Sequence, residues 1–219
     1  MTRHAIPTFA AFPYYPKGTA DTQEKERLQN ILYAIKDGVE LVRDGLKVSA
    51  TRAISDIILA EIRDQAKDYF NPEVALVPLP RSTTLGLLPA SQWPCLEIAQ
   101  YLAAGGCGTA ISAVLRKTAV GTSHRLPADQ RPSVETIAAS VEVDFDSLKN
   151  FDSVTLLDDV VTTGTNAVGV AVALERGGYR GHVRLFSAAH TVGKSGGSEG
   201  NYIGECVWLT DRPRAFRPS

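Results

Sequence analysis

The feature that most constrains the fold is residues 153–166, where a short apolar run is followed by two aspartates and a turn of threonine and glycine. The apolar run, 154–157, has the length and composition of a strand buried on both faces of a parallel sheet. Asp158 and Asp159 follow it directly. Because ligands of open α/β sheets bind beyond the carboxyl ends of the strands, we expect both carboxylates to face a ligand.

The turn after the aspartates has the composition of an anion-binding site. Thr162, Thr163 and Thr165 offer hydroxyl groups, and the apolar residues from 167 onwards predict a helix. A helix N-terminus favours an anion through its N–H groups and its dipole. Gly164 lets the backbone approach that anion closely or adopt a positive φ. Carboxylates beside a phosphate site suit a ribose 5-phosphate.

Other nucleotide-binding patterns fit less well. Neither G-x-G-x-x-G after a strand nor G-x-x-x-x-G-K-[ST] is present. The acidic pair precedes the phosphate turn, whereas in a dinucleotide-binding unit the acidic residue follows by about 20 residues. The structural alternative is a surface Asp-Asp turn whose threonines cap the helix. We consider it weaker because every part of the pattern agrees.

Residues 153–166 closely resemble the phosphoribosyl-pyrophosphate (PRPP) signature of the type I phosphoribosyltransferases: an apolar strand, Asp-Asp, two apolar residues and Thr-Thr-Gly-Thr. The resemblance implies that Asp158 and Asp159 are catalytic and hold the ribose hydroxyls, directly or through Mg²⁺. It assigns the 5-phosphate to Thr162, Thr163, Gly164, Thr165 and Asn166. Asn166 departs from the pattern, which usually has threonine or serine there, but its amide can still donate to a phosphate.

A second loop has the composition of an anion site. Residues 74–78 read as another buried strand, and Pro80, Arg81 and Ser82 follow it. In the family, the loop after an earlier parallel strand binds the pyrophosphate of PRPP, and the resemblance gives these three residues that role. An ordinary turn with an exposed arginine is the alternative.

The basic stretch 115–131 is the most polar and irregular part of the chain. A loop of this size is often an active-site lid. Phosphoribosyl transfer needs a cation on the leaving pyrophosphate and exclusion of water from the sugar centre. We therefore expect Arg116 or Lys117 to close over the leaving group and to act in catalysis. A solvated surface loop is the alternative.

Three further segments resemble the ComF-like branch of the family: Ile-Lys-Asp-Gly at 35–38, Val-Pro-Leu-Pro-Arg at 77–81 and Leu-Arg-Lys at 115–117. An N-terminal cysteine-rich zinc element is missing, and the Gln and Asn expected in the basic loop are not evident. These are departures from the pattern of that branch.

Composition is consistent with one cytoplasmic domain. The 219 residues are 44% hydrophobic, enough for a sizeable core, and the net charge of −1 gives no bulk electrostatic case for nucleic acid or an anionic membrane. The three scattered cysteines predict reduced, buried thiols rather than a disulfide framework or a zinc site. No apolar run reaches the ~18 residues of a membrane span.

These features predict an α/β fold: a doubly wound, mostly parallel central sheet with flanking helices and a small hood. We expect an N-terminal arm over residues 1–20 and a phosphoribosyltransferase-like domain over 21–219. The resemblance implies a Mg²⁺-dependent glycosyltransferase that moves ribose 5-phosphate from PRPP to a nitrogenous acceptor, such as a base in nucleotide metabolism, and releases pyrophosphate. Members of the family commonly form homodimers, so the resemblance also implies a homodimer. The alternatives are a module that binds PRPP or a nucleotide without turnover, as a regulator or an accessory to DNA uptake, repair or defence, and, more weakly, a hydrolase.

Overall fold

The structure, a computed structural model, describes the backbone of residues 3–14, 22–37, 39–43, 45–81, 86–89, 92–120, 130–191 and 202–209. In chain order the elements are β1 (Arg3–Tyr14), α1 (Gln23–Asp37), β2 (Glu40–Arg43), β3 (Leu46–Ser49), α2 (Ala50–Ile57), β4 (Val74–Pro78), α3 (Pro94–Ala104), β5 (Thr109–Ala110), β6 (Val114–Arg116), α4 (Val134–Ala139), β7 (Val141–Val143), α5 (Phe145–Leu148), β8 (Ser153–Val161), α6 (Thr165–Arg176), β9 (His182–Thr191) and β10 (Tyr202–Leu209).

A six-stranded sheet forms the centre, in the order β10-β1-β9-β8-β4-β5. All neighbouring pairs in it are parallel except β1 and β10, which are antiparallel at the edge. The predicted α/β class with a mostly parallel sheet is therefore confirmed. β8 lies between β9 and β4, so its carboxyl end is near the middle of the sheet edge.

Helices cover both faces of the sheet, and the strand side chains alternate between the two resulting cores. Val154 and Leu156 of β8 belong to the core that includes Val168 of α6. Leu157 belongs to the opposite core, which is built with α1, α2 and α3. Successive side chains of a strand point to opposite faces, so a strand with helices on both sides is buried along its whole length. This explains the run 154–157, in which the hydroxyl of buried Thr155 donates to the Tyr69 carbonyl at 2.8 Å. Within the described ranges, no helix is long and apolar enough to cross a membrane.

The second helix is interrupted. The spacing of the apolar residues Ala50, Ile54, Ile57, Ile58 and Ile62 predicts one continuous helix over about 49–67. α2 ends at Ile57, and Ile58–Ile62 form a π-helical turn, in which the Arg63 N–H donates to the Ile58 carbonyl at 2.8 Å. Ile54, Ile58 and Ile62 are all buried. Because π-helical hydrogen bonds span five residues rather than four, this turn advances less per residue and keeps a four-residue spacing on the core side.

The N-terminal segment differs from the expected arm. Arg3–Tyr14 form an inner strand that pairs with β9 on one side and β10 on the other. Phe9 is 1% exposed, and its ring stacks on Phe186 with centroids 5.7 Å apart. Pro7 and Pro13 argue against an inner strand when only the sequence is considered, since proline cannot donate to a strand ladder. Residues 15–20 lie outside the described part of the chain.

Phe9→Ala tests whether β1 belongs to the core. The substitution removes a buried ring that contacts both Phe186 and Tyr69, so we expect the free energy of unfolding to fall by about 3–5 kcal/mol. Urea unfolding followed by circular dichroism measures this loss. Val42→Ala, at a residue that is 74% exposed, is the control and should change the free energy by less than about 0.5 kcal/mol. Equal effects of the two variants would mean that β1 does not contribute to the core.

Candidate functional site

The site begins where β8 extends past β4. The pairing of β4 with β8 ends at Pro78 and Leu157, whereas the pairing of β8 with β9 continues to Val161 and His190. Asp158 and Asp159 therefore lie in the last part of β8, beyond the end of β4. This is the carboxyl edge of the sheet, where the sequence predicts them to lie.

The two aspartates are half-buried and fixed by the backbone that follows them. An Oδ1 atom of Asp158 accepts from the Asp159 N–H at 3.0 Å, and Oδ1 of Asp159 accepts from the Val160 N–H at 2.8 Å. These bonds turn each carboxylate toward the backbone N–H of the residue that follows it. As a result, carboxylate oxygens of both residues lie within 4.8 Å of each other and of the Cys95 thiol, although neighbouring strand residues normally face opposite sides.

Cys95 is the site residue that the sequence did not reveal. It lies in the first turn of α3 and is buried and free, as predicted for the cysteines in general. Burial raises the pKa of its thiol well above the ordinary value, and the charges of Asp159 and Asp158 raise it further. The thiol is therefore neutral beside the carboxylates. The sequence offers one indication that Cys95 belongs to the site: it lies in the first helix after β4.

Two of these three donors, the carboxylates of Asp158 and Asp159, are of the kind that a hard divalent cation binds. Mg²⁺ prefers oxygen ligands and keeps several waters, so one or two carboxylates and the oxygens of a phosphorylated substrate suffice. Asp158 and Asp159 supply these carboxylates at a partly exposed position. Sulfur suits softer metals and would not contribute to binding Mg²⁺.

The turn after β8, residues 162–166, leads into an N-terminus of α6 that is open to an anion. Gly164 is the N-cap of α6 with φ of 69°, and no side chain caps the helix. There is also no acidic residue in the first turn. The N–H groups that begin a helix lack partners within it, so this β8 turn offers donors without a competing negative charge.

Threonine hydroxyls fix the shape of the β8 turn. The Oγ1 atoms of Thr162 and Thr191 form a hydrogen bond of 3.0 Å, which connects the turn to the end of β9. The Oγ1 atoms of Thr163 and Thr165, on either side of Gly164, form a second hydrogen bond of 2.9 Å. Thr162 and Thr163 are exposed, so a ligand in solution can reach them.

The loop after β4, residues 79–81, begins beside Leu157 and is held by backbone and side-chain bonds. The Leu79 N–H donates to the Leu157 carbonyl at 2.9 Å, and the buried Trp93 indole N–H donates to the Leu79 carbonyl at 2.8 Å. The exposed Arg81 guanidinium donates to the Gln92 carbonyl at 2.8 Å. This β4 loop, which contains Pro80, is thus at the same sheet edge as the aspartates. Ser82 lies outside the described residues.

Arg116 joins the β4 loop to the β8 turn. Its side chain, 1% exposed at the end of β6, donates from Nε to the Arg81 carbonyl at 3.2 Å and from Nη2 to the Pro80 carbonyl at 3.3 Å. Nη2 also donates to Oδ1 of Asn166 at 2.8 Å. Nη1 donates to the Ser140 hydroxyl. Burial lowers the pKa of Arg116 to about 10, so the group remains charged at neutral pH.

The position of Arg116 differs from that of a lid residue. Leu115 and Arg116 of the basic stretch belong to β6, which pairs with β7. The Arg116 side chain is buried and donates to both loops, so it supports them from within the protein. Lys117 is exposed, and its N–H donates to the Ser140 carbonyl at 2.9 Å. Residues 121–129, the middle of the expected lid, lie outside the described residues. A role for Lys117 over the leaving group stays a prediction.

The chain matches no model of a known protein family, and no curated protein matches it significantly. The site is therefore interpreted from its own geometry and chemistry.

Gly164→Ala tests the packing beneath the β8 turn. A Cβ at this position would overlap the Cys206 Sγ and would also stand on a left-handed backbone. The backbone alone should cost about 1–2 kcal/mol, and the overlap should add about 1–3 kcal/mol. Urea unfolding measures the total loss of stability.

Gly106→Ala is the matched control, because Gly106 has φ of 79° and open space around the new Cβ. It should show only the backbone cost. Cys206→Ala should reduce the cost of Gly164→Ala when the two are combined. If both glycine variants lost the same stability, Cys206 would not support the turn.

Proposed function

We propose that the protein transfers the ribose 5-phosphate of PRPP to a nitrogenous acceptor and releases pyrophosphate. The observation that carries this proposal is the joint position of Asp158 and Asp159, the β8 turn and the β4 loop at one sheet edge. Carboxylates suit a sugar diol, and donors at a helix N-terminus suit a phosphate. PRPP contains both groups. It also contains a pyrophosphate, which the β4 loop can bind.

In this proposal the 5-phosphate lies against the N–H groups at the start of α6 and the hydroxyls of Thr162, Thr163 and Thr165. Asn166 donates to it from its amide nitrogen. The ribose hydroxyls lie at Asp158 and Asp159. The β4 loop, with Pro80 and Arg81, faces the pyrophosphate. Ser82 is assigned to the same group by the sequence alone.

The reaction breaks the bond between C1 of the ribose and the pyrophosphate oxygen, which leaves with the electron pair. The lone pair of an acceptor nitrogen forms the new bond to C1, and a proton carried by that nitrogen passes to the released pyrophosphate or to solvent. The centre is positively charged as the bond breaks, and the carboxylates of Asp158 and Asp159 stabilise that charge. When bound, Mg²⁺ would supply charge neutralisation for the pyrophosphate. Arg81 and Lys117 are the exposed cations assigned to the leaving group.

The resemblance of residues 153–166 to the type I phosphoribosyltransferases supports the proposal, and the α/β architecture is compatible with that family without being specific to it. The same resemblance carries the hood as part of the proposal, and the segments 35–38, 77–81 and 115–117 carry the ComF-like branch. The domain that the sequence predicts over residues 21–219 has to be extended to include β1, which pairs within the central sheet. The alternative module that binds PRPP without turnover uses the same residues. Pyrophosphate release therefore has to be measured together with PRPP binding.

The double variant Asp158→Asn with Asp159→Asn tests the mechanism. Asparagine keeps the carbonyl oxygen that accepts the backbone N–H at each position, so we expect the fold to persist. Loss of both charges should lower pyrophosphate release over a panel of bases by at least about 100-fold. Coupled phosphate detection measures the release, and thermal unfolding checks the fold.

Asp64→Asn with Asp146→Asn is the matched control. It makes the same change in net charge at side chains that are 93% exposed, and its activity should equal that of the unmodified protein. Unchanged turnover in the Asp158 and Asp159 variant would remove the mechanism. Binding of PRPP by calorimetry with no release for any base would favour the binding module, and release without any base would favour hydrolysis.

A further inference from the structure

We propose that Arg116 is a positioning residue that holds the β4 loop and the β8 turn at the separation PRPP requires. This inference rests on the proposed function, in which the β4 loop faces the pyrophosphate and the β8 turn binds the 5-phosphate. Arg116 then acts through the two loops, without touching the substrate.

One planar group contacts both loops. The guanidinium donates to two carbonyls of the β4 loop, from Pro80 and Arg81, and to Oδ1 of Asn166 in the β8 turn. Its donors have a fixed fork geometry, in contrast to the flexible ammonium of lysine. The positions of these acceptors are therefore fixed relative to each other, although Pro80 and Asn166 lie 36 and 50 residues from Arg116 in the sequence.

The charge of Arg116 also favours a role toward anions. The acceptors described for its guanidinium are two carbonyls, a hydroxyl and an amide oxygen, all of them neutral. A buried cation normally pairs with a carboxylate, because burial without one is costly. Two anions bound at the β4 loop and the β8 turn, both of which the guanidinium contacts, would supply negative charge close to it.

Asn166 couples this contact to the ligand. With Oδ1 turned to Arg116, the amide nitrogen of Asn166 is the donor that remains for a phosphate. The hydroxyl of serine or threonine is one atom shorter and would not reach both groups. The contact thus accounts for the asparagine at a position where the resembling signature usually has a hydroxyl residue.

A fixed separation has a measurable consequence. PRPP engages both loops at once, so its affinity depends on how well their spacing matches the molecule. Of these two loops, ribose 5-phosphate uses only the β8 turn, and inorganic pyrophosphate uses only the β4 loop. Loss of the link should therefore weaken PRPP more than either fragment.

The test is calorimetric titration of the unmodified protein and of Arg116→Lys with PRPP, ribose 5-phosphate and pyrophosphate, each with Mg²⁺. Lysine keeps the charge and removes the fork. We expect the Kd for PRPP to rise roughly tenfold or more, and the Kd for each fragment to change by less than about threefold. Arg176→Lys, at the exposed far end of α6, is the matched control and should leave all three values unchanged.

Two more variants keep the test decisive if Arg116→Lys does not fold. Asn166→Ser cuts the link from the β8 turn and keeps a hydroxyl for the phosphate, so it should also weaken PRPP selectively. Ser140→Ala removes a partner of Arg116 that belongs to neither loop, and it should change the Kd for PRPP by less than about threefold.

The outcomes separate this inference from the proposed function. Equal weakening of all three ligands, or no weakening of PRPP, in the folded variants would overturn the positioning role while PRPP binding by the unmodified protein still stood. Failure of the unmodified protein to bind PRPP would overturn the proposed function and the positioning role with it.

Discussion

The parallel pairing of β4 with β8 is the interaction on which the rest of the structure depends. It runs from Val74 and Ser153 to Pro78 and Leu157 and then stops, although β8 continues beside β9. Beyond that point the first strand continues into the β4 loop, and the second strand, β8, presents two aspartates. Because the strands are parallel, both departures occur at the same sheet edge. The chemistry of the site is thus a consequence of where one ladder ends.

Buried groups beneath this edge determine the shape of the loops. Trp93 and Arg116 donate to carbonyls of the β4 loop, and the Cys206 side chain packs against Gly164 in the β8 turn. Thr191 of β9 holds the turn from the side. Rigid elements therefore position the exposed donors and carboxylates, which reduces the ordering that a bound ligand would require. The cost is a desolvated cation at Arg116, whose pKa is lowered to about 10 by burial.

The local features of the site could be predicted from sequence, because they depend on neighbouring residues. The apolar run, the aspartates and the glycine at a positive φ form one continuous segment, and each leaves its own pattern. The strand β4 was equally evident. What could not be predicted depends on distant pairing: β1 is an inner strand, between β10 and β9, because its partners come from near the other end of the chain. Pro7 and Pro13 disfavour such a strand when only the sequence is considered. Cys95 and the burial of Arg116 likewise depend on how α3 and β6 pack.

A crystal structure of the protein with ribose 5-phosphate and Mg²⁺ tests the central claim most directly, since this ligand carries the diol and the phosphate on one sugar. We expect the phosphate at the N–H groups of the β8 turn, between Thr162 and Asn166, and the ribose hydroxyls at Asp158 and Asp159 or at a Mg²⁺ held by them. A phosphate bound elsewhere, or a sugar turned away from both carboxylates, would contradict the proposed site.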